Sequence, residues 1–329
     1  MFEVDVETLA SASYMKSADV LVRWGEMLLI EGLGYTRIAV PQKRRRPREV
    51  LRPNIGLDRV LKHLRLGLAS TSGYEAPDEV HGFVQGRGTV TNAACHLAQD
   101  VVLKVDIKDF FDSIGSEEVC SALTRFGFTD ECAELVASVT LVDGKLAQGF
   151  STSPLLSNIA FHATDEALAG FAHTRGVTFT RYVDDLAFSG TKDAIDDEFL
   201  ESLDVQLGNV GWRINPAKTR FMRRGGPQFV TGLYVGDHAG AHIPRPMKER
   251  LRRELYFAER FGVSDARQRS PRPMSIERLA GWVHYAAHAD PAFGLPLRDR
   301  WQRIAPALDS YVPGPDWDLL DDIEFPDDW

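Results

Sequence analysis

Apolar positions change period several times along the chain, and the changes outline its elements. From 5 to 31 they recur at helical spacing, with Val20, Leu21, Trp24, Met27 and Leu28 on one stripe. A Pro- and Arg-rich link follows, then a helix through Val60, Leu61, Leu64 and Leu68. HGFVQGRGTV (81–90), with its three glycines, predicts a loop or hairpin, and TNAACHLAQD a short helix. VVLKVDI (101–107) is a continuous Val- and Ile-rich run bounded by polar residues, which predicts a buried strand. Helix starts are predicted at Ser116 and Thr129, hydroxyls followed by acids, and at Ser153-Pro154, a hydroxyl cap before a first-turn proline. VTFTRYV and LAFSG read as two strands joined at Asp184-Asp185. A helix through Phe199, Leu203 and Leu207 ends near Gly211, and QFVTGLYVG reads as one more strand. From Pro246 the pattern is helical over 247–261, 275–288 and 297–308. Strand, helices, strand hairpin, helix, strand is an order that predicts an α+β fold with helices on one face of the sheet.

Composition narrows the class. The 329 residues are 44% hydrophobic, enough for two or three packed subdomains. Cys95, Cys120 and Cys132 show no CxxC spacing, which argues against a disulfide or zinc framework and fits a reducing cytoplasm. No apolar run approaches the ~20 residues of a bilayer span, nothing reads as a signal peptide, and no fixed-period repeat is present.

The net charge of −9 is unevenly spread. Residues 37–65 hold ten Lys/Arg against Glu49 and Asp58, and 241–280 hold ten against five acids. Local basic surfaces of this kind attract phosphates, although Lys43–Arg46 also reads as a solvated loop between two prolines. The C-terminal helices alternate Arg252 and Arg253 with Tyr256, Phe257, Trp282 and Tyr285, so apolar residues pack while arginines face a polyanion. An ordinary amphipathic surface is the other reading. The last fourteen residues carry seven acids and no base, with Trp317, Phe325 and Trp329 among them. Such a tail is disordered by default, or docks a basic partner.

The sharpest chemical signal is the adjacent pair Asp184-Asp185 between two apolar runs. Two carboxylates a few ångströms apart repel by roughly 3 kcal/mol at an effective dielectric of about 20. A solvated turn tolerates this, since Asp is a common turn residue. A hard divalent cation would instead convert the repulsion into a cage, given a third carboxylate. Asp106, at the end of the buried strand, supplies one. Three such acids can hold two ions ~3.5–4 Å apart for in-line phosphoryl transfer.

The motifs then show a resemblance. YVDD between hydrophobic strands resembles the YxDD box of reverse transcriptases. VDIKDFF resembles their first catalytic box, AQGFSTSPLLSNIAF the QGxxxSPxLxN box, and NPAKT the lysine-bearing box that follows, all in the family's order. HGFVQGRGTVTNAACH and FVTGLYV further resemble segments of bacterial retron reverse transcriptases. Ala147 departs from the proline usual before QG.

The resemblance implies a right-hand polymerase with fingers (1–98), a ferredoxin-like palm with an antiparallel sheet (99–240, its 116–145 contributing to fingers), a helical thumb (241–315) and the acidic tail (316–329). It implies two Mg²⁺ ions held by Asp106, Asp184 and Asp185 with the carbonyl of Ile107. Phe111 would exclude a 2′-hydroxyl, while Phe110 or both rings could be core. Gln148 would meet the incoming nucleotide or merely bond its loop, and Gly149 would permit close backbone approach. Arg87 would grip the triphosphate and Lys218 the leaving pyrophosphate, each with a solvated-surface alternative. Asn92 and His96, four apart, would face RNA or be structural; Val230, Thr231 and Gly232 would support the primer end.

The implied activity is RNA-directed DNA synthesis from deoxynucleoside triphosphates. A cognate structured noncoding RNA would be both template and primer, giving a branched RNA-linked DNA, in antiphage defence with a separate effector protein. The other functions considered are a nucleoprotein scaffold that binds RNA and an effector, and a reverse transcriptase of the intron-encoded or abortive-infection type. No maturase or endonuclease stretch follows the thumb, which disfavours the intron-encoded type.

Overall fold

The computed structural model describes residues 3–41, 47–270 and 273–304. Its centre is a four-stranded antiparallel sheet in the order Thr178–Tyr182, Asp185–Gly190, Val101–Asp106, Arg220–Arg223. The middle strand VVLKVD is apolar at four of its six positions, Val101, Val102, Leu103 and Val105, because both its faces are covered. Val101, Leu103 and Val105 point into the larger core, with Leu186, Phe188, Phe161 and Trp212. Val102 and Ala187 point the other way, into a second core with Val230, Leu233, Val235, Leu251, Trp282 and Trp301. Helices are therefore not confined to one face, as the element order suggested. Helices Ser116–Arg125, Asp130–Thr140, Ser153–His173 and Asp197–Asn209 bury residues in the first core. Arg245–Arg269, Ile276–Ala289 and Pro291–Ile304 build the second.

Several predicted elements are cut differently. The first helix is two, Val6–Ala12 and Ala18–Leu28, with Tyr14 between them in the left-handed region at φ 55. The Pro- and Arg-rich link is a hairpin, Tyr35–Val40 against Arg48–Pro53. QFVTGLYVG is a tight hairpin, Phe229–Val230 against Leu233–Tyr234, because Thr231 and Gly232 both take positive φ, as a two-residue turn requires. The fourth strand of the sheet is instead Arg220–Arg223.

The helix starts are where they were expected, but the caps differ. Thr129 caps as predicted, accepting from the Cys132 N–H at 3.1 Å. Gly115 takes the cap position before Ser116, and the Glu118 carboxylate accepts its N–H at 2.8 Å. Ser153 turns back to donate to the Ala147 carbonyl at 2.6 Å. The helix expected to end at 261 is broken at Gly262, φ 79, before continuing to Arg269. The basic cluster Lys43–Arg46, residues 305–308 of the last predicted helix and the acidic tail lie outside the described residues.

Candidate active site

The hairpin Thr178–Tyr182/Asp185–Gly190 pairs Tyr182 with Asp185, leaving Val183 and Asp184 as a two-residue turn. Val183 sits at φ 61, a conformation that a β-branched residue rarely adopts. The register of the neighbouring strand sets Asp106 directly opposite Asp185, so both side chains share a face. The Ile107 N–H donates to the Asp184 carbonyl at 2.9 Å. Two segments distant in sequence are thus joined by backbone hydrogen bonds at their carboxylates.

Two lysines enter this group. Lys218 Nζ lies 2.5 Å from Asp106 Oδ1, and Asn215 Nδ2 donates to Oδ2 at 3.1 Å. Lys104, one pair back on the same face, places Nζ 2.9 Å from Asp185 Oδ2. Among the described residues, Asp184 forms no ion pair, leaving three carboxylates against two ammonium groups. Burial first, then the charges of Asp185 and Asp106, push the Asp184 carboxyl up to about 6, with Lys218 working the other way. Burial opposes the Lys104 ammonium, but Asp185, with Asp184 and Asp106 behind it, holds its pKa above the ordinary value.

As the side chains stand, no group of three or more His, Cys, Asp or Glu among the described residues is gathered closely enough to hold a metal. The donor set nevertheless suits a hard divalent cation. The oxygens are carboxylates, Asp184 has no ion-pair partner among the described residues, and Lys218 already sets a cation against Asp106 Oδ1.

Around this centre, Phe110 is buried, edge-on to Phe161 and tilted against Trp212. Phe111 is only partly buried, so the pair divides between core and surface. Gln148 Oε1 accepts from Arg48 Nε at 2.6 Å, and its carbonyl accepts the Leu51 N–H at 2.7 Å. Gly149, at φ 108, lies so close that a Cβ would collide with the Leu51 carbonyl. The missed hairpin therefore packs on the Gln148–Gly149 loop and brings Arg48 to it. Arg87 is committed elsewhere: its guanidinium donates to the Pro77 carbonyl, to the Val80 carbonyl at 2.9 Å and to Asp78 at 2.9 Å. Gripping a triphosphate would require it to leave these partners.

The expected RNA contacts of Asn92 and His96 are corrected. The helix Thr89–Ala94 ends before His96, whose ring is 0% exposed. Its Nδ1 bonds Ser189 Oγ and its Nε2 bonds Thr180 Oγ1, both at 2.7 Å, so it ties the segment after the helix to two sheet strands and is turned away from any RNA. Asn92 is equally buried and lines a cavity with room for about one water, beside Lys104, Asp185 and Thr231. Val230 and Thr231 are buried at the hairpin turn, where the Thr231 hydroxyl donates to the Thr89 carbonyl at 2.8 Å; Gly232 is half-exposed. Arg252 and Arg253 are exposed on their helix, with the Arg252 guanidinium 5.1 Å from the Phe293 ring centre.

Sequence reasoning missed Lys104, Asn215 and Arg48. The alternation of VVLKVD already placed Lys104 on the Asp106 face, a signal that was available. Asn215 opens the NPAKT box but was given no role of its own, and nothing local marked Arg48.

Among the described residues no helix is long and apolar enough to cross a membrane. A family model described as reverse transcriptase (RNA-dependent DNA polymerase) matches residues 43–253. The retron Mx65 reverse transcriptase of Myxococcus xanthus is 35% identical over 241 residues, 68% of this chain and 55% of that one. The retron Mx162 enzyme of the same organism is 32% identical over 246 residues, 65% and 50%. The retron Se72 reverse transcriptase of Salmonella heidelberg is 23% identical over 276 residues, 82% and 72%. The chain spans about half the length of the two Myxococcus relatives. A solved foamy viral protease–reverse transcriptase in complex with double-stranded DNA matches at TM-score 0.46 and 17% identity, over 94% of this chain and 50% of that one, too distant to add to the assignment. The antiparallel sheet with its helices is a right-hand polymerase fold, and the chain belongs to the reverse transcriptase family, in which the relatives it matches are bacterial retron enzymes.

Proposed function

We propose that this chain is an RNA-directed DNA polymerase that extends DNA on an RNA template by two-metal nucleotidyl transfer. The observation that carries the reading is the register that sets Asp106 opposite Asp185, with Asp184 beside them in the turn and in no ion pair among the described residues. Asp106 and Asp184 are the principal ligands for two Mg²⁺ ions, Asp185 supports them, and the Ile107 carbonyl adds an oxygen. Bound there, the ions supply Lewis acidity at the attacking and leaving oxygens.

The other residues bind and orient. Lys218, freed from Asp106, serves the leaving pyrophosphate as charge partner or proton donor. Phe111 offers a flat apolar ring where a 2′-hydroxyl would be left unpaired. Gln148 and Gly149 meet the incoming nucleotide, and Arg48, bonded to Gln148, takes the triphosphate contact expected of Arg87. The Val230–Gly232 turn supports the primer end, and Arg252 and Arg253 face phosphates.

From its likeness to the retron enzymes, we assign a cognate structured RNA as template and primer. A 2′-hydroxyl of that RNA starts a branched RNA–DNA product, and the complex acts in antiphage defence with a separate effector. The three free cysteines fit a reducing cytoplasm.

The test is primer extension on RNA by the purified chain, with sequencing of co-purifying nucleic acid. Labelled DNA lost in the Asp184→Asn/Asp185→Asn variant, and a short DNA joined to one defined RNA, are expected. A well-folded wild-type protein that extends neither added nor co-purified RNA would end the proposal.

A further inference from the structure

The Val183–Asp184 turn is strained, yet its neighbours leave it little freedom. Arg181, three residues before Asp184, is fully buried. Its Nε and Nη2 donate to the two oxygens of Asp165 at 2.6 Å each. Its remaining nitrogen, Nη1, donates to Asn158 Oδ1 at 3.2 Å and to the Val183 carbonyl at 3.1 Å. Asn158 in turn donates from Nδ2 to the Gly82 carbonyl at 3.0 Å. Gly82 closes the ring from the other side: a Cβ there would stand 2.5 Å from the Val183 nitrogen and 2.9 Å from its Cγ2. The segment carrying Gly82 is fixed by backbone bonds, from Arg181 N–H to the Glu79 carbonyl and from His81 N–H to the Arg181 carbonyl, both 2.8 Å.

A buried ion pair is weak evidence of a stabilising role, because well-packed apolar residues of similar volume commonly replace one without loss of stability. What such residues cannot do is hold the Val183 carbonyl. Strained backbone persists only where its surroundings over-determine it, and here the determining groups come from three separate segments.

We propose that Gly82, Asn158, Asp165 and Arg181 are positioning residues that clamp the Val183–Asp184 turn and so present the Asp184 carboxylate to metal. This rests on the polymerase reading for its consequence in DNA synthesis, but not for its metal-binding consequence. The glycine-rich segment before the sheet thereby acts on the carboxylates through backbone contact with the turn.

The experiment compares wild type with two variants, the pair Arg181→Met with Asp165→Leu, and the single change Gly82→Ala. Melting temperature, Mn²⁺ binding by loss of the free-ion electron paramagnetic resonance signal, and kcat and KM for deoxynucleotide incorporation are measured. Arg181→Met/Asp165→Leu should melt within a few degrees of wild type, bind Mn²⁺ about tenfold more weakly or worse, and lose kcat about tenfold with KM little changed. Gly82→Ala should show the same split in weaker form, and it decides the matter if the paired variant does not fold. Folded variants that bind Mn²⁺ and turn over as wild type does would show that the network only packs the core. A wild type that binds Mn²⁺ but makes no DNA ends the polymerase reading and leaves the Mn²⁺ comparison to judge the clamp. A wild type that binds no Mn²⁺ ends both.

Discussion

Replacing Asp184 with Asn should make the metal-free protein more stable while abolishing DNA synthesis. Burial, then the charges of Asp185 and Asp106, raises this carboxyl from 3.8 to about 6. Between those values the folded protein holds a proton that the unfolded chain has released, so stability falls as pH rises, and above the upper value the whole cost is present. At about 1.4 kcal/mol per pH unit, the gap amounts to about 3 kcal/mol. Asp184 is only half-buried and water screens part of the repulsion, so we expect about 1–2 kcal/mol. Asn keeps the shape and removes the charge. In EDTA at about pH 7.5, the variant should melt about 2–4 °C higher, at about 2 °C per kcal/mol for a chain of this size. At about pH 4.5, where folded wild-type Asp184 is protonated, the advantage should shrink to roughly a third. His81 and His96, whose pKa values burial lowers to about 4 and about 3, titrate alike in both proteins and cancel in the difference. Saturating Mg²⁺ should raise the wild-type melting temperature more than the variant's. An Asn variant that melts at or below wild type in EDTA, or whose advantage grows towards acid, would refute the reasoning.

Three further outcomes follow. His96→Ala leaves two buried hydroxyls unpaired and a cavity, and should cost about 2–4 kcal/mol in denaturant unfolding without weakening RNA binding by the folded protein; reduced RNA affinity at unchanged stability would restore the RNA role. Phe111→Ala should reduce discrimination against ribonucleotides by about tenfold or more in single-nucleotide kcat/KM ratios, and unchanged ratios would make Phe111 a packing residue. Arg252→Ala and Arg253→Ala should each weaken RNA binding whatever its sequence and flatten the slope of log K against log salt by about 1. An unaltered slope removes that arginine from the interface.

The three carboxylates were legible because their flanks carry strong local signals. A Val-rich run, interrupted only by Lys104, gives one strand, and two short runs around paired acids give a hairpin. The supports were not legible. Asp165 looks like an exposed helix acid in HATDEAL, and only the packing of helix against hairpin reveals it as the buried partner of Arg181. The hairpin Tyr35–Pro53 is so interrupted by charge that it reads as a link, although Arg37 spends its guanidinium on Glu31, Glu49 and Asp143. RFMR is too short to announce a sheet strand. The RNA contact expected of His96 was misleading for a related reason, since the four-residue spacing assumed a helix that stops at Ala94, and His96 lies beyond it, buried against the sheet.

The position of Lys104 follows from the fold rather than accompanying it. Val101, Leu103 and Val105 must face the larger core, because no other residues of that strand could fill it. The period of two then puts Val102, Lys104 and Asp106 together on the opposite face. Pairing with Asp185–Gly190 places Ala187 beside Lys104, and a small side chain there lets the ammonium lie along the sheet to Asp185. A one-residue slip would carry Asp106 into the apolar core and Val105 into the carboxylate group, a change far costlier than the repulsion it relieves. The packing that makes the strand a strand thus fixes the register of the acids. One residue inserted between Val102 and Asp106 should abolish folding and Mn²⁺ binding together, whereas loss of binding in a protein that melts normally would separate the register of the acids from the packing of the strand.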